Sequence, residues 1–155
     1  MNQVRNASPE DGERVAELVR ELAVLEGKPP ATFTAADFRR DGFGSTPRFG
    51  CVVVEAEAAI VGYATWYSAY DMTSASHGLH LLDLFVTQSA RNRGCGTALL
   101  RAVGRHCAEA DGEWLCFHVR PDNVRATALY RRLGAYDLEL RFMAFDQEAF
   151  AALRV

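Results

Sequence analysis

The chain has 155 residues, 49% of them hydrophobic and 24% charged, a size and balance that fit one domain spanning residues 1–155 and exclude a fibrous or low-complexity protein. Its net charge of -3 gives no general pull towards nucleic acid or an anionic membrane, and no apolar run reaches bilayer-spanning length. The cysteines 51, 95, 107 and 116 form no C-x-x-C pair and no zinc-finger spacing with histidine, so no metal is expected, and Met1-Asn2-Gln3-Val4-Arg5 lacks a signal-peptide core, which makes the cytoplasm the expected compartment.

Residues 2–6 read as a first strand. Ser8-Pro9-Glu10-Asp11 has the composition of a helix start, with a cap, a first-turn proline and acids at the positive dipole end. Val15, Leu18, Val19 and Leu22 then mark one helical face to about Leu25, and Gly27-Lys28-Pro29-Pro30 breaks it. Thr34 caps a second, shorter helix ending near Asp41-Gly42. Cys51–Glu55 and Ile60–Tyr67 are β-branched and aromatic runs around the turn Ala56-Glu57-Ala58, a hairpin. Residues 70–78 are polar and read as irregular. Leu79–Val86 is nearly continuous apolar, the pattern of a strand covered on both faces.

The stretch after that strand, Arg91-Asn92-Arg93-Gly94-Cys95-Gly96-Thr97, opens a helix whose stripe runs through Leu99, Ala102, Val103 and Cys107. Glycines let a phosphate approach the backbone, and the amides of a helix start point at it, so the segment predicts a phosphorylated cofactor at a strand-to-helix junction. No lysine precedes Thr97, which excludes the P-loop, and Leu99 stands where a dinucleotide fingerprint needs its third glycine. Cys95 lies at a helix start, but no His or Asn is placed by motif to pair with it; Cys51 and Cys116 lie in strand-like runs and read as small buried apolar groups.

Trp114–Val119 reads as another strand, Pro121-Asp122-Asn123 as the turn into a helix ended by Gly134, and residues 135–145 as a last strand broken near Leu138. Residues 146–155 suggest one more short helix. The order β-α-α-β-β-β-α-β-α-β predicts an α/β (α+β) domain, a mixed sheet with helices on both faces.

That order, with Arg91-x-x-Gly94-x-Gly96 after the fourth strand and Asn123-x-x-x-Thr127-x-x-Tyr130-x-x-x-Gly134-Ala135 near the end, resembles the GNAT superfamily of N-acetyltransferases. Glu21-Leu22-Ala23, Asp41-Gly42-Phe43-Gly44, Ile60-Val61-Gly62-Tyr63-Ala64, Tyr70-Asp71 and Asp83-x-Phe85-Val86 look like its diamine branch, which acetylates polyamines, thialysine and related primary amines. The resemblance implies a mostly antiparallel twisted sheet, acetyl-CoA as co-substrate, direct attack of the amine on the thioester, and a homodimer with no nucleic-acid or membrane partner.

It also implies site residues. Arg91, Asn92, Arg93, Gly94, Cys95, Gly96 and Thr97 would hold the pyrophosphate, Leu84, Phe85 and Val86 the pantetheine arm by strand-like pairing, and Asn123 would cap its helix and contact the cofactor. Tyr130 resembles the family tyrosine near the thioester sulfur and would protonate the leaving thiolate. Glu26, Asp71 and Asp83 match acids of the branch and would receive a cationic acceptor, together with the aromatic residues Trp66, Tyr67 and Tyr70. Asp83 in a run of leucines is independently telling, because an ionised carboxylate there needs a partner.

The branch carries an acid immediately before that aspartate; this chain has Leu82. Strand alternation puts Asp83 on the face opposite Leu82 and leaves His80 on the Leu82 face, where an imidazole with an ordinary pKa of about 6.5 suits a base; Glu26, Asp71 or a water chain are the alternatives for that role. Two alternatives remain open at this level: another amine as acceptor (amino acid, antibiotic or protein lysine), or a non-catalytic acyl-CoA sensor.

Overall fold

The computed structural model describes residues 2–154, which group into two compact units meeting between Phe117 and His118. The first contains β1 (Gln3–Asn6), α1 (Gly12–Leu25), α2 (Ala35–Phe43), β2 (Gly50–Ala56), β3 (Ala59–Asp71), β4 (Ser76–Val86), α3 (Cys95–Glu109) and β5 (Trp114–Cys116). The second contains α4 (Val124–Arg132) and α5 (Gln147–Ala152).

The strands form one sheet in the order β1-β2-β3-β4-β5, antiparallel except for the β4–β5 pair. Alternation along the strands sorts apolar side chains onto two faces. On one, Val52, Val54, Ala64, Leu79 and Leu81 meet Leu99, Ala102, Val103 and Cys107 of α3. On the other, Val53, Tyr63 and Phe85 meet Val15 and Leu18 of α1 and Phe38 of α2. The mixed sheet with helices on both faces is therefore present.

The caps are those the composition predicts. The Ser8 amide donates to Asp11 Oδ2 at 2.7 Å, with a short 3-10 turn leading into α1. Thr34 and Asp37 cap α2 reciprocally at 3.0 and 3.2 Å. Arg5 ties β1 to this corner: its guanidinium holds both carboxylate oxygens of Asp11 at 2.7 and 2.9 Å and Glu55 at 2.8 Å.

Three segments differ from the sequence reading. Residues 70–78 are not irregular: β3 runs to Asp71 and β4 starts at Ser76. The Trp114 indole donates to the Ser76 hydroxyl at 3.0 Å, which lets this polar residue sit buried in the ladder. β5 stops at Cys116 rather than Val119, pairing only with Gly78–His80. The strand expected over 135–145 is not formed: Asp137 Oδ1 accepts from the Glu139 amide at 3.0 Å, and Glu139 takes φ 54°, a conformation that interrupts extended backbone at the break read near Leu138.

Candidate active site

After Val86 the chain makes a 3-10 turn over Gln88–Ala90 and then enters α3 through Arg91–Gly94. Asn92 and Gly94 both adopt positive φ, 64° and 82°, which curls the backbone around on itself. Gly94 occupies the cap position of α3, and a Cβ there would meet nothing within 4 Å. α2, α4 and α5 each have a side chain accepting from a first-turn amide; α3 has none, and no acid stands in its first turn. The positive end of α3 thus carries donors without a side-chain cap. Arg91 folds back, its Nε donating to the Val86 carbonyl at 2.9 Å, and Arg93 lies 3.5 Å from Glu57. Cys95 is buried beneath the turn.

β4 leads into this loop with an interruption. Thr65 pairs with Asp83 and Trp66 with Leu81, so Leu82 is an extra residue, a β-bulge. Leu82 is 44% exposed in an otherwise covered strand. The bulge overturns the alternation expected from sequence. Leu79 and Leu81 belong to the α3 face, but so do Leu84 and Val86, which puts Asp83 and Phe85 on the α1 face. His80, between Leu79 and Leu81, is on the α1 face as well. His80 and Asp83 share one side, where simple alternation separates them.

On that side Tyr63, fully buried, donates to Asp83 Oδ2 at 3.3 Å. Burial, then the charge of Asp83, pushes the Tyr63 phenol far above its usual range, and the charge of Glu26 acts in the same direction. Glu26, at the end of α1, is held by Lys28 Nζ at 2.5 Å. The fold thereby sets Asp83 on the Tyr63 hydroxyl, with the charge of Glu26 felt on the same face. His80 stacks on its cross-strand partner Tyr67, with ring centroids 4.9 Å apart and planes at 14°. Its Nδ1 lies 3.3 Å from the Sγ of Cys116, which pairs with it on β5. Beyond that last rung β5 ends, so among the described strands β4 has no partner on that edge from Leu81 to Val86.

Other candidates go elsewhere. Asp71 caps the β3–β4 turn, accepting from the Thr73 amide at 2.8 Å and the Ser74 hydroxyl at 2.9 Å. Trp66 faces α3 and stacks on His106 at 5.1 Å, on the side of the sheet away from Tyr67. In the second unit, Asn123 caps α4 by accepting from the Ala126 amide at 3.1 Å, and burial pushes the Tyr130 phenol up to about 12. Tyr63 and Cys116 were not singled out as functional from sequence. Their parts depend on cross-strand register, which leaves no local motif; the Asp83 carboxylate in an apolar strand was the one signal that a buried donor had to exist.

Residues 14–135 match the model of the acetyltransferase (GNAT) family. The chain belongs to the GNAT acetyltransferases. It is 31% identical over 144 residues to the thialysine N-epsilon-acetyltransferase of Bos taurus, covering 87% of this chain and 84% of that protein. It is 32% identical over 144 residues to the human spermidine/spermine N(1)-acetyltransferase-like protein 1, covering 88% of this chain and 21% of that longer protein. Among solved structures, AAC(6')-Iy in complex with the bisubstrate analog CoA-S-monomethyl-acetylneamine superposes with a TM-score of 0.79 at 19% identity, covering 95% and 99% of the two chains; this likeness concerns the fold.

The protein is an N-acetyltransferase, and the family's acyl donor is acetyl-CoA. The residues fit that donor on the structure's own terms. The donor end of α3, without a side-chain cap, suits a pyrophosphate, and the open β4 edge over 84–86 suits an extended amide-bearing arm. Among the described residues no helix is long and apolar enough to cross a membrane.

Proposed function

We propose that this GNAT enzyme acetylates a primary amine of a small polycationic acceptor of the diamine, polyamine or thialysine kind, by direct attack of the amine on the thioester. The observation that carries the reading is the half-buried Asp83 carboxylate in an apolar strand, bonded to the buried hydroxyl of Tyr63 at 3.3 Å on the face covered by α1, the helix that Glu26 follows. An alkylammonium leaving water needs such an opposite charge. Lys28, a primary ammonium of the chain itself, already rests on Glu26. The names of the bovine and human relatives point to the same acceptor class.

In this reading the backbone of Asn92, Arg93, Gly94, Cys95, Gly96 and Thr97, with Arg91 beside it, holds the pyrophosphate. Leu84, Phe85 and Val86 would line the pantetheine arm, and the family resemblance gives Asn123 a further contact to the cofactor. Bound acetyl-CoA supplies an activated acyl carbon. Asp83 and Glu26 orient the acceptor, while Asp71 is a more distant attraction for a long polyamine. His80 takes the proton of the incoming ammonium, the task left open by Leu82. By the family resemblance Tyr130 would give its proton to the departing thiolate, and a phenol pushed up to about 12 by burial keeps that proton at neutral pH.

The enzyme works in the cytoplasm in this proposal, in keeping with four free cysteines. It works as a homodimer in this proposal, a reading that rests on the resemblance to the diamine branch. Light scattering of the purified chain at micromolar concentration checks this, and a monomer mass would overturn it.

The acceptor is tested by thiol release from acetyl-CoA with putrescine, spermidine, thialysine, lysine and aminoglycosides. Turnover of the first three supports the proposal. Turnover confined to aminoglycosides or to neutral amino acids would replace it.

A further inference from the structure

We infer that Cys116 is a positioning residue for the reaction: its sulfur holds Nδ1 of His80, fixing the ring so that Nε2 is the nitrogen that exchanges the acceptor's proton. The inference rests on the proposed role of His80 and adds to it a residue read from sequence as a passive buried thiol.

The geometry is specific. The β4–β5 ladder has its last rung at His80 and Cys116, with Sγ 3.3 Å from Nδ1. β5 can approach this closely because residue 78 is glycine: a Cβ there would lie 2.2 Å from the Trp114 carbonyl oxygen. The Trp114 indole is in turn anchored on Ser76, so the strand that carries Cys116 is tied at its start. Tyr67 covers one face of the imidazole with nearly parallel planes. Stacking sets the plane of the ring but is equally satisfied after a half-turn flip about Cβ–Cγ, which exchanges Nδ1 with Cδ2; the contact to Sγ selects one of the two. Besides the Tyr67 phenol, the titratable groups on this face include Cys51 of β2, Tyr63 of β3, Asp83 of the same strand and Glu26 after α1.

The two ring nitrogens of a histidine are distinct, and the bond made by one decides the state of the other. An imidazole N–H is a stronger donor than a thiol, and sulfur is a polarisable if weak acceptor. With Nδ1–H as the donor to Sγ, the Nε2 lone pair is the one that takes the proton from the acceptor's ammonium; the reverse bond, S–H to the Nδ1 lone pair, would place the ring proton on Nε2 instead. The resulting imidazolium keeps its Nδ1–H on Sγ and its ring on Tyr67, an arrangement that favours the cation. No bond to sulfur forms or breaks, and burial keeps the thiol protonated.

Nitrogen NMR of the full-length enzyme without acetyl-CoA tests the tautomer directly. The expected result is an Nδ1–H signal for neutral His80, and a titration midpoint that falls in Cys116→Ala and recovers in Cys116→Ser. In parallel, Cys116→Ala should lower kcat about tenfold and move the acid limb of the pH profile to lower pH, with the KM for acetyl-CoA unchanged, and Cys116→Ser should restore most of both. An Nε2–H tautomer, or a Cys116→Ala enzyme with an unaltered midpoint and limb while His80→Gln is crippled, would overturn the inference and leave His80 as base. A His80→Gln enzyme with full rate and the same limb would instead remove the base reading and this inference with it.

Discussion

Asp83 and Tyr63 meet across the β3–β4 ladder, the phenol donating to Oδ2 at 3.3 Å from a fully buried ring. The contact satisfies part of a carboxylate set in an apolar strand, and it leaves the charge in place. Asp83→Asn keeps an acceptor for Tyr63 and removes the charge. The KM for a diamine should rise at least about tenfold, roughly 1.4 kcal/mol, with the KM for acetyl-CoA unchanged. Steady-state kinetics checks this; an unchanged amine KM would confine Asp83 to holding Tyr63.

Lys28 occupies Glu26 at 2.5 Å, and an incoming ammonium must compete with it. Lys28→Met should therefore lower the KM for diamines about two- to fivefold at low ionic strength, a modest effect because the pair is partly exposed and screened. The gain should shrink as salt is raised. A higher KM in the variant would mean that Lys28 helps to build the acceptor site.

Gly96 is the second residue of α3, inside the turn proposed to receive pyrophosphate. Gly96→Val puts a branched side chain there while keeping a residue that helices accept. Calorimetry with acetyl-CoA should find affinity reduced about tenfold or more, with the folded state intact by circular dichroism. Wild-type affinity would remove the turn from the cofactor site.

Tyr130→Phe should cut kcat by about 10²- to 10⁴-fold, the usual worth of a general acid, and leave the KM for acetyl-CoA near wild type. Because burial pushes the phenol up to about 12, Tyr130 stays protonated across the working range. Its ionisation should cause no loss of rate below about pH 11. An alkaline limb near pH 9 that vanishes in Tyr130→Phe would contradict this.

Stability at low pH should report on Asp11. The Arg5 guanidinium, bonded to both of its oxygens, and the Ser8 amide hold its pKa below the ordinary carboxylate value, against the opposing effect of burial. A depressed folded pKa contributes stability that is present above about pH 4 and is lost as pH falls through the folded value. Asp11→Asn should cost about 1–3 kcal/mol at pH 7 by urea unfolding, and less below pH 3. A pH-independent cost would assign the residue's worth to packing and capping alone.

The local features of the chain were legible without the fold. Proline at 9, the Thr34–Asp37 capping box, Asn123 before α4 and the glycines at 94 and 96 each act through neighbours within a few residues, so their spacing carries their meaning. The same holds for the two apolar faces, which follow from the periods of strand and helix. What only the tertiary structure decided is which side chains share the face with Asp83. The bulge at Leu82 depends on how β4 registers against β3, and it moves Asp83 to the side of His80. The pairing of His80 with Cys116 depends on two strands separated by a helix. The strand expected over 135–145 fails locally, at the turn of Asp137 and Glu139, whereas the site's cross-strand pairs exist only because distant segments register in one sheet.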